Sequence, residues 1–201
     1  MKQIQITRTN NVVTFDTVAV DTTEFVFFTN LDPLEAHWPS MTTNQLGPAP
    51  SPNSNQAAVP IPKNWQNTDP PFTYTYNCLI PGHSSEHGIV VVSAPLAAAA
   101  STTLQPARVN VPIQPQQVVV GGVSPYQISG QLFTVVDAGG NVVRQGSGIG
   151  PGIYLTPSNN STGIIVSGTP PVVGTYNFTF IVNDGAQHNL QQVQYSMIVS
   201  A

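Results

Sequence analysis

Short segments with alternating apolar and polar residues dominate this sequence. In PFTYTYN (71–77) the side chains of Phe72, Tyr74 and Tyr76 alternate with threonines, and TYNFTFIVND (175–184) has the same period. A period of two is typical of a β-strand with one buried face. No segment of helical period and length lies between these strand candidates. The alternation therefore predicts an all-β fold.

The composition supports short strands that are joined by many turns. The 201 residues include 19 Pro and 16 Gly, the residues that favour turns. The formal net charge is −4 with five Lys and Arg, so no basic patch supports nucleic-acid binding. No apolar run approaches the roughly 20 residues of a membrane-spanning helix. A single Cys excludes an internal disulfide.

A stretch of small residues divides the chain near its middle. PLAAAASTTLQPA (95–107) has four consecutive alanines between prolines, a composition typical of a linker. We therefore predict two domains, 1–95 and 106–201, joined by a linker at 96–105. About seven strand candidates with turns between them make the second domain an antiparallel sandwich.

Metal-ligand residues are concentrated in NCLIPGHSSEHGIV (77–90). Cys78, His83 and His87 lie within ten residues there, and thiolate and imidazole groups suit copper and zinc. The first half has one further histidine, His37, which follows the strand candidate TEFVFFTN. These four side chains are the predicted metal ligands.

The segment CLIPGHSSEHG (78–88) resembles the ligand loop of the cupredoxins, specifically the azurin and auracyanin-like group. That loop reads Cys, any two, Pro-Gly-His, any three, Met. The resemblance covers about residues 1–94 and implies a Greek-key β-sandwich with one copper ion. It implies Cys78, His83 and the upstream His37 as ligands, and a redox protein partner that docks near His83.

His87 stands where that family has its axial methionine. An imidazole is a stronger donor than a thioether, so we expect axial His87 to stabilise Cu(II), lower the reduction potential and weaken the blue absorption. Met41 and Glu86 are rival axial donors, and Glu86 would make a red-copper type of site. Zinc in a tetrahedral site of three histidines and one cysteine is a further alternative.

The second half resembles the bacterial Ig-like repeats. In SGTPPVVGTYNFTFIVND (167–184), Gly174 and Tyr176 match the Gly-x-Tyr that enters a long strand of alternating aromatics in those repeats. The resemblance covers about residues 105–201 and implies a spacer or adhesion module. An Ig-like fold by itself implies no ligand.

We predict a copper-binding electron carrier and not an enzyme, since no catalytic motif is present. Three alternatives stay open: a non-redox copper module for storage, delivery or sensing, a red-copper-like site for small molecules, and a metal-free adhesion protein. The low lysine content favours an exported protein, periplasmic or extracellular, whose leader is absent from this sequence. The sequence leaves the oligomeric state open.

Overall fold

The computed structural model describes residues 2–37, 39–41, 56–58, 71–158 and 162–201. Every regular element of the described residues is a β-strand, which confirms the all-β prediction. None of them forms a helix of the length and apolarity that crossing a membrane requires. The chain divides into two compact units, the N-terminal unit (1–95) and the C-terminal unit (96–201).

The described residues of the N-terminal unit contain eight strands, which form two four-stranded sheets. They are β1 (Lys2–Thr9), β2 (Val12–Phe15), β3 (Val18–Asp21), β4 (Phe25–Asn30), β5 (Pro39–Met41), β6 (Gln56–Ala58), β7 (Phe72–Cys78) and β8 (His87–Ser93). The sheet orders are β2-β1-β4-β6 and β3-β8-β7-β5. β1 is parallel to β4, β3 is parallel to β8, and β7 is antiparallel to β8.

Alternation explains how these two sheets form a sandwich. Ile4 and Ile6 on β1, Tyr76 on β7, and Val90 and Val92 on β8 are all buried in one apolar core. The polar residues between them face away from it, as the period of two requires. Residues 39–71 are rich in Pro, Asn and Ser with little periodicity, which predicts a long loop. The structure describes the short strands β5 and β6 there together with residue 71, and the other positions lie outside the described residues.

The described residues of the C-terminal unit contain nine strands. They are β9 (Ala97–Ala98), β10 (Ala107–Arg108), β11 (Gln116–Val120), β12 (Gln127–Val136), β13 (Val142–Ser147), β14 (Ile153–Pro157), β15 (Gly163–Gly168), β16 (Gly174–Asn183) and β17 (Asn189–Ser200). They form two sheets in the orders β10-β17-β16-β12-β13 and β14-β15-β11-β9. β9 lies within the predicted linker 96–105 and pairs with β11, so part of that segment belongs to a sheet.

Aromatic rings fill the core of the C-terminal unit. Phe178 and Phe180 on β16 stack with Tyr195 on β17, with ring centroids 6.0–6.3 Å apart. Ile164 and Val166 on β15 join them from the opposite sheet. Stacking of this kind adds to the free energy gained by burying the rings. This unit is therefore also a β-sandwich.

Candidate metal centre

A tight loop joins β7 to β8 at one end of the N-terminal sandwich. The Cys78 amide donates to the Glu86 carbonyl at 3.0 Å, which closes the loop at its base. Inside the loop the His83 amide donates to the Ile80 carbonyl, and the Glu86 amide donates to the His83 carbonyl, both at 3.0 Å. Gly82 has φ +92°, a conformation that glycine adopts at little cost. These hydrogen bonds fix the backbone of the loop and therefore the positions of the Cβ atoms of its side chains.

β5 brings a distant histidine to this loop. β5 is antiparallel to β7 with Pro39 opposite Cys78, so His37 lies just before the paired segment. The imidazole of His37 has no solvent exposure. It packs edge-on against Phe15, with the ring centroids 5.9 Å apart. The Cys78 Sγ lies 4.0 Å from the His37 Nδ1, although 41 positions separate the two residues.

Four side chains meet at this point, and we call them the ligand cluster: His37, Cys78, His83 and Glu86. One ligand atom from each lies within 4.8 Å of all the others. The Glu86 Oε2 lies 2.9 Å from the His37 Nδ1 and 3.0 Å from the His83 Nδ1. A metal–nitrogen bond of about 2.0 Å and a metal–sulfur bond of about 2.3 Å together span the 4.0 Å between imidazole and thiol. The donor atoms therefore fit a single metal ion.

Of the four predicted ligands, the structure brings His37, Cys78 and His83 together and leaves His87 outside. His87 is exposed, and its Nδ1 donates to the Ser85 carbonyl at 3.0 Å. Strand alternation is the reason. Gly88 is buried opposite Tyr76, so His87, one residue earlier, must face the other side of the sheet.

The same alternation directs Glu86 inward. Glu86 is two residues before Gly88 and therefore lies on the side of the core, where it replaces His87 as the fourth side chain of the cluster. Gly88 itself is required by the packing, because a Cβ there would overlap the Tyr76 hydroxyl. The rival donor Met41 lies in β5, and its side chain is outside the described part of the structure.

A carboxylate occupies the far side of the His37 ring. The His37 Nε2 lies 2.7 Å from the Asp32 Oδ2, and neither side chain is exposed to solvent. Hydrogen bonds from Arg8 hold the pKa of Asp32 well below its usual range, so this carboxyl is ionised. An ionised carboxylate can only accept hydrogen bonds, and the Nε2 of His37 therefore carries a proton and donates a hydrogen bond to it.

The solvent side of the cluster lies at His83. Its side chain is 16% exposed, and its Nε2 lies 3.8 Å from the Glu35 Oε2. Arg8 donates to Glu35 as well as to Asp32, so one guanidinium is shared by two carboxylates beside the cluster. Leu79 is 42% exposed at the start of the same loop. An apolar side chain in the same loop as His83 is thus accessible at Leu79.

Sequence reasoning missed Arg8 and Asp32 and weighed Glu86 only as a rival. The alternation of buried Val90 and Val92 along β8, continued backwards to Gly88, would have identified Glu86 as the inward residue. Arg8 and Asp32 are 24 positions apart and carry no local pattern. Their pairing depends on the parallel contact of β1 with β4, which places Ile6 beside Asn30.

Comparison with known proteins gives structural matches and no sequence match. No known protein family matches the chain, and no curated protein matches it in sequence. CopC from Methylosinus trichosporium OB3b is 16% identical over 52% of this chain and 89% of that chain, with a TM-score of 0.29. An endo-fucoidan hydrolase of glycoside hydrolase family 107 is 12% identical over 92% of this chain and 27% of that chain, with a TM-score of 0.33.

A third match is to the zebrafish RET cadherin-like domains 1 to 4, which are 13% identical over 68% of this chain and 32% of that chain, with a TM-score of 0.29. This chain therefore spans less than a third of the length of both the hydrolase and the RET structure. All three TM-scores are too low to assign the chain to a family or to support an argument about its function.

Proposed function

We propose that the N-terminal unit binds one copper ion through the ligand cluster and transfers single electrons. The ligand atoms would be the Nδ1 of His37 and His83, the Sγ of Cys78 and a carboxylate oxygen of Glu86. The observation that carries the proposal is the convergence of these four side chains within 4.8 Å. The proposal assigns no catalytic residue.

The chemistry of the donor set favours copper. Thiolate and imidazole together suit both copper and zinc, and Cu(II) binds to sites of this kind more tightly than Zn(II). Copper bound there supplies a one-electron redox couple. Cys78 contributes a soft ligand from a strand end, and its side chain is buried with only 5% exposure. Burial keeps water away from the thiolate and limits competing reactions.

Glu86 would lower the reduction potential of the bound copper. An anionic oxygen donor favours Cu(II) over Cu(I) more than a thioether does, so the reduction potential should be lower than that of a methionine-ligated site. The sequence predicted a lower reduction potential too, but from axial coordination by His87. The structure favours Glu86 for that role, because the Glu86 Oε2 is within 3.0 Å of both imidazoles.

The chain's own residues suit electron transfer in two ways. His37 and Cys78 are held by paired strands and packed side chains, which limits rearrangement when the charge of the site changes. His83 reaches the surface with one ring edge, and exposed Leu79 lies in the same loop. A redox protein that docks at this edge would approach the ligands closely. An exported, periplasmic or extracellular location remains part of the proposal.

Metal analysis and voltammetry of four proteins test the proposal. We expect one copper per wild-type chain, with an EPR signal of Cu(II) bound to sulfur, and loss of stoichiometric binding in Cys78→Ala. In Glu86→Gln we expect Cu(II) affinity to fall about 10- to 100-fold more than Cu(I) affinity. At 59 mV per tenfold, the potential would then rise by about 60 to 120 mV.

His87→Ala is the matched control because its imidazole is exposed and bound to the Ser85 carbonyl. It should leave copper content, EPR signal and potential unchanged. A wild-type protein without stoichiometric copper contradicts the proposal. A shift in potential in His87→Ala, together with none in Glu86→Gln, would return the axial role to His87.

Copper storage or delivery is a second candidate, which the carboxylates around the cluster favour. Asp32, Glu35 and Glu86 all lie close to the ligand atoms, and anionic surroundings favour retention of the more highly charged Cu(II). Protein-film voltammetry distinguishes the two roles. A fast, reversible couple supports electron transfer, whereas a couple that is slow or inaccessible supports storage.

A further inference from the structure

The ion pair of Arg8 with the buried Asp32 stands directly behind the ligand cluster. We propose that Asp32, held in place by Arg8, is a positioning residue that keeps a proton of His37 on Nε2, so that Nδ1 is the nitrogen that binds the metal. This inference rests on the proposed function, since it assigns the Nδ1 of His37 to the metal. The role is orientation and not direct ligation.

The hydrogen bonds of Asp32 leave it one arrangement. Its Oδ1 accepts from the Leu34 amide at 2.9 Å, and the Arg8 Nε donates to both Oδ1 and Oδ2 at 3.0 Å. Its Oδ2 accepts from the Arg8 Nη2 at 2.8 Å and from the His37 Nε2 at 2.7 Å. All four partners are donors, so a group that can only accept matches the position. The carboxylate then requires the Nε2 of His37 to carry a proton.

Arg8 makes it possible to bury this carboxylate. An unpaired charge in a site without solvent exposure is strongly unfavourable, and removing one partner of a buried ion pair leaves such a charge. Arg8 donates from two nitrogens to Asp32, the planar geometry that lysine cannot reproduce. Because Arg8 belongs to β1, the sheet opposite β7 and β8 sets the orientation of a ligand.

Asparagine at position 32 would weaken this arrangement. Its side chain has one acceptor oxygen, whereas the Leu34 amide, two nitrogens of Arg8 and the His37 Nε2 now donate to two carboxylate oxygens. Whichever oxygen position the NH₂ group takes, at least one of these donors loses its acceptor. The charge that balances Arg8 is lost as well, so the orientation of His37 is no longer fixed.

NMR of ¹⁵N-labelled protein and a copper titration test this inference. In metal-free wild type, the His37 Nε2–H should give a protected ¹H–¹⁵N signal that correlates with the ring carbons of His37. In Asp32→Asn that proton should exchange faster with solvent, because the hydrogen bonds that hold it are weakened. The Kd for Cu(II), measured against a competing chelator, should rise about 10- to 100-fold, the usual cost of losing a partner of a ligating histidine.

Asp16→Asn is the charge-matched control. Asp16 lies in the same unit, is exposed, and accepts from the Gln5 amide at 3.2 Å. It should keep the His37 Nε2–H signal and the wild-type Kd. Amide spectra of each variant check that the unit remains folded. The wild-type measurement needs no variant, so the inference stays testable even if Asp32→Asn does not fold.

Two results would overturn the inference: a wild-type His37 ring protonated on Nδ1 alone, or an Asp32→Asn protein that binds Cu(II) with the affinity of Asp16→Asn. A different result would contradict the proposed function. If wild type shows the protected Nε2–H and binds no copper, the orientation of His37 is supported and the metal role is wrong.

Discussion

Each unit contains a buried aspartate that accepts a hydrogen bond from a histidine, and the two pairs have different surroundings. In the N-terminal unit the His37 Nε2 lies 2.7 Å from Asp32. In the C-terminal unit the His188 Nδ1 lies 3.0 Å from Asp184. Asp184 also accepts from the amides of Val123, Ala186 and His188, at 2.8–3.0 Å. It therefore holds together a turn.

The pairs differ in the exposure of the histidine and in what the second ring nitrogen of His37 meets. The His188 side chain is 20% exposed, whereas that of His37 has no exposure. The Nδ1 of His37 faces a thiol and a carboxylate that come from another segment of the chain. A hydrogen bond between aspartate and histidine thus serves a turn in one unit, whereas in the other it stands behind the proposed metal ligands.

The largest expected effect separates the two histidines directly. In His37→Ala the Kd for Cu(II) should rise by about 100-fold or more, since losing a ligand costs at least as much as losing its hydrogen-bond partner. His188→Ala should bind copper with wild-type affinity. Isothermal titration with chelator competition measures both. Equal losses in the two variants would contradict the assignment of the cluster.

The second prediction removes the structural aspartate. In Asp184→Ala, three amides lose their acceptor, two of them in buried hydrogen bonds, and the free energy of unfolding of the C-terminal unit should fall by about 3 kcal/mol. Hydrogen exchange of the β16 and β17 amides measures this change in the unit concerned. Copper affinity should not change. A large loss of affinity would show that this aspartate does more than hold a turn.

The third prediction compares two glycines. In Gly88→Ala the added methyl overlaps the Tyr76 hydroxyl, so the N-terminal unit should lose about 2 kcal/mol of stability. Gly140, in a hairpin turn of the C-terminal unit, has open space around its Cβ position but a φ of +82°. Gly140→Ala should cost about 1 kcal/mol from backbone strain alone. Urea unfolding of each variant tests whether crowding outweighs strain.

The smallest expected effect concerns alkaline pH. Burial, with a contribution from Asp184, raises the pKa of Tyr126 to about 12. The folded protein therefore holds this proton more tightly than the unfolded chain does. The resulting stability is present below pH 10 and is lost as the pH rises from about 10 toward 12.

Tyr126→Phe should remove this part of the pH dependence in the C-terminal unit. Burial also raises the pKa of Tyr76, so the N-terminal unit should keep its own loss of stability in alkali. Hydrogen exchange measured between pH 9 and 11 reports the free energy of unfolding of each unit separately. If the free energy reported by β16 and β17 fell with pH as steeply in Tyr126→Phe as in wild type, the prediction would be contradicted.

Most of the fold follows from local patterns in the sequence. The alternation in β7 and β16 predicted both strands, because each has one face in a core. β14 (Ile153–Pro157) was missed, since it ends in proline and lies at the edge of its sheet, where a residue without an amide proton is tolerated. Strand β9 was missed because two small alanines carry little alternation.

The candidate site could be predicted only in part. Cys78 and His83 share one loop, and their spacing was sufficient to predict that they meet. Glu86 was given only as a rival axial donor, because the axial position was taken from the spacing of the resembling family, which points to His87. The alternation of β8, which points to Glu86, was not used. Arg8 and Asp32 could not be predicted, because a pairing between distant segments depends on which strands become neighbours and leaves no trace in the spacing of either residue.

The 41 positions between His37 and Cys78 have a consequence for synthesis and turnover. If the cluster binds copper as proposed, a nascent chain would hold the ion tightly only after β5 has paired with β7, so capture of the ion would report that this pairing is complete. The ion would then bind the native state in preference to the unfolded one. At a free concentration 100 times the Kd this would contribute about 2.7 kcal/mol, so copper supply would influence how long each molecule survives proteolysis.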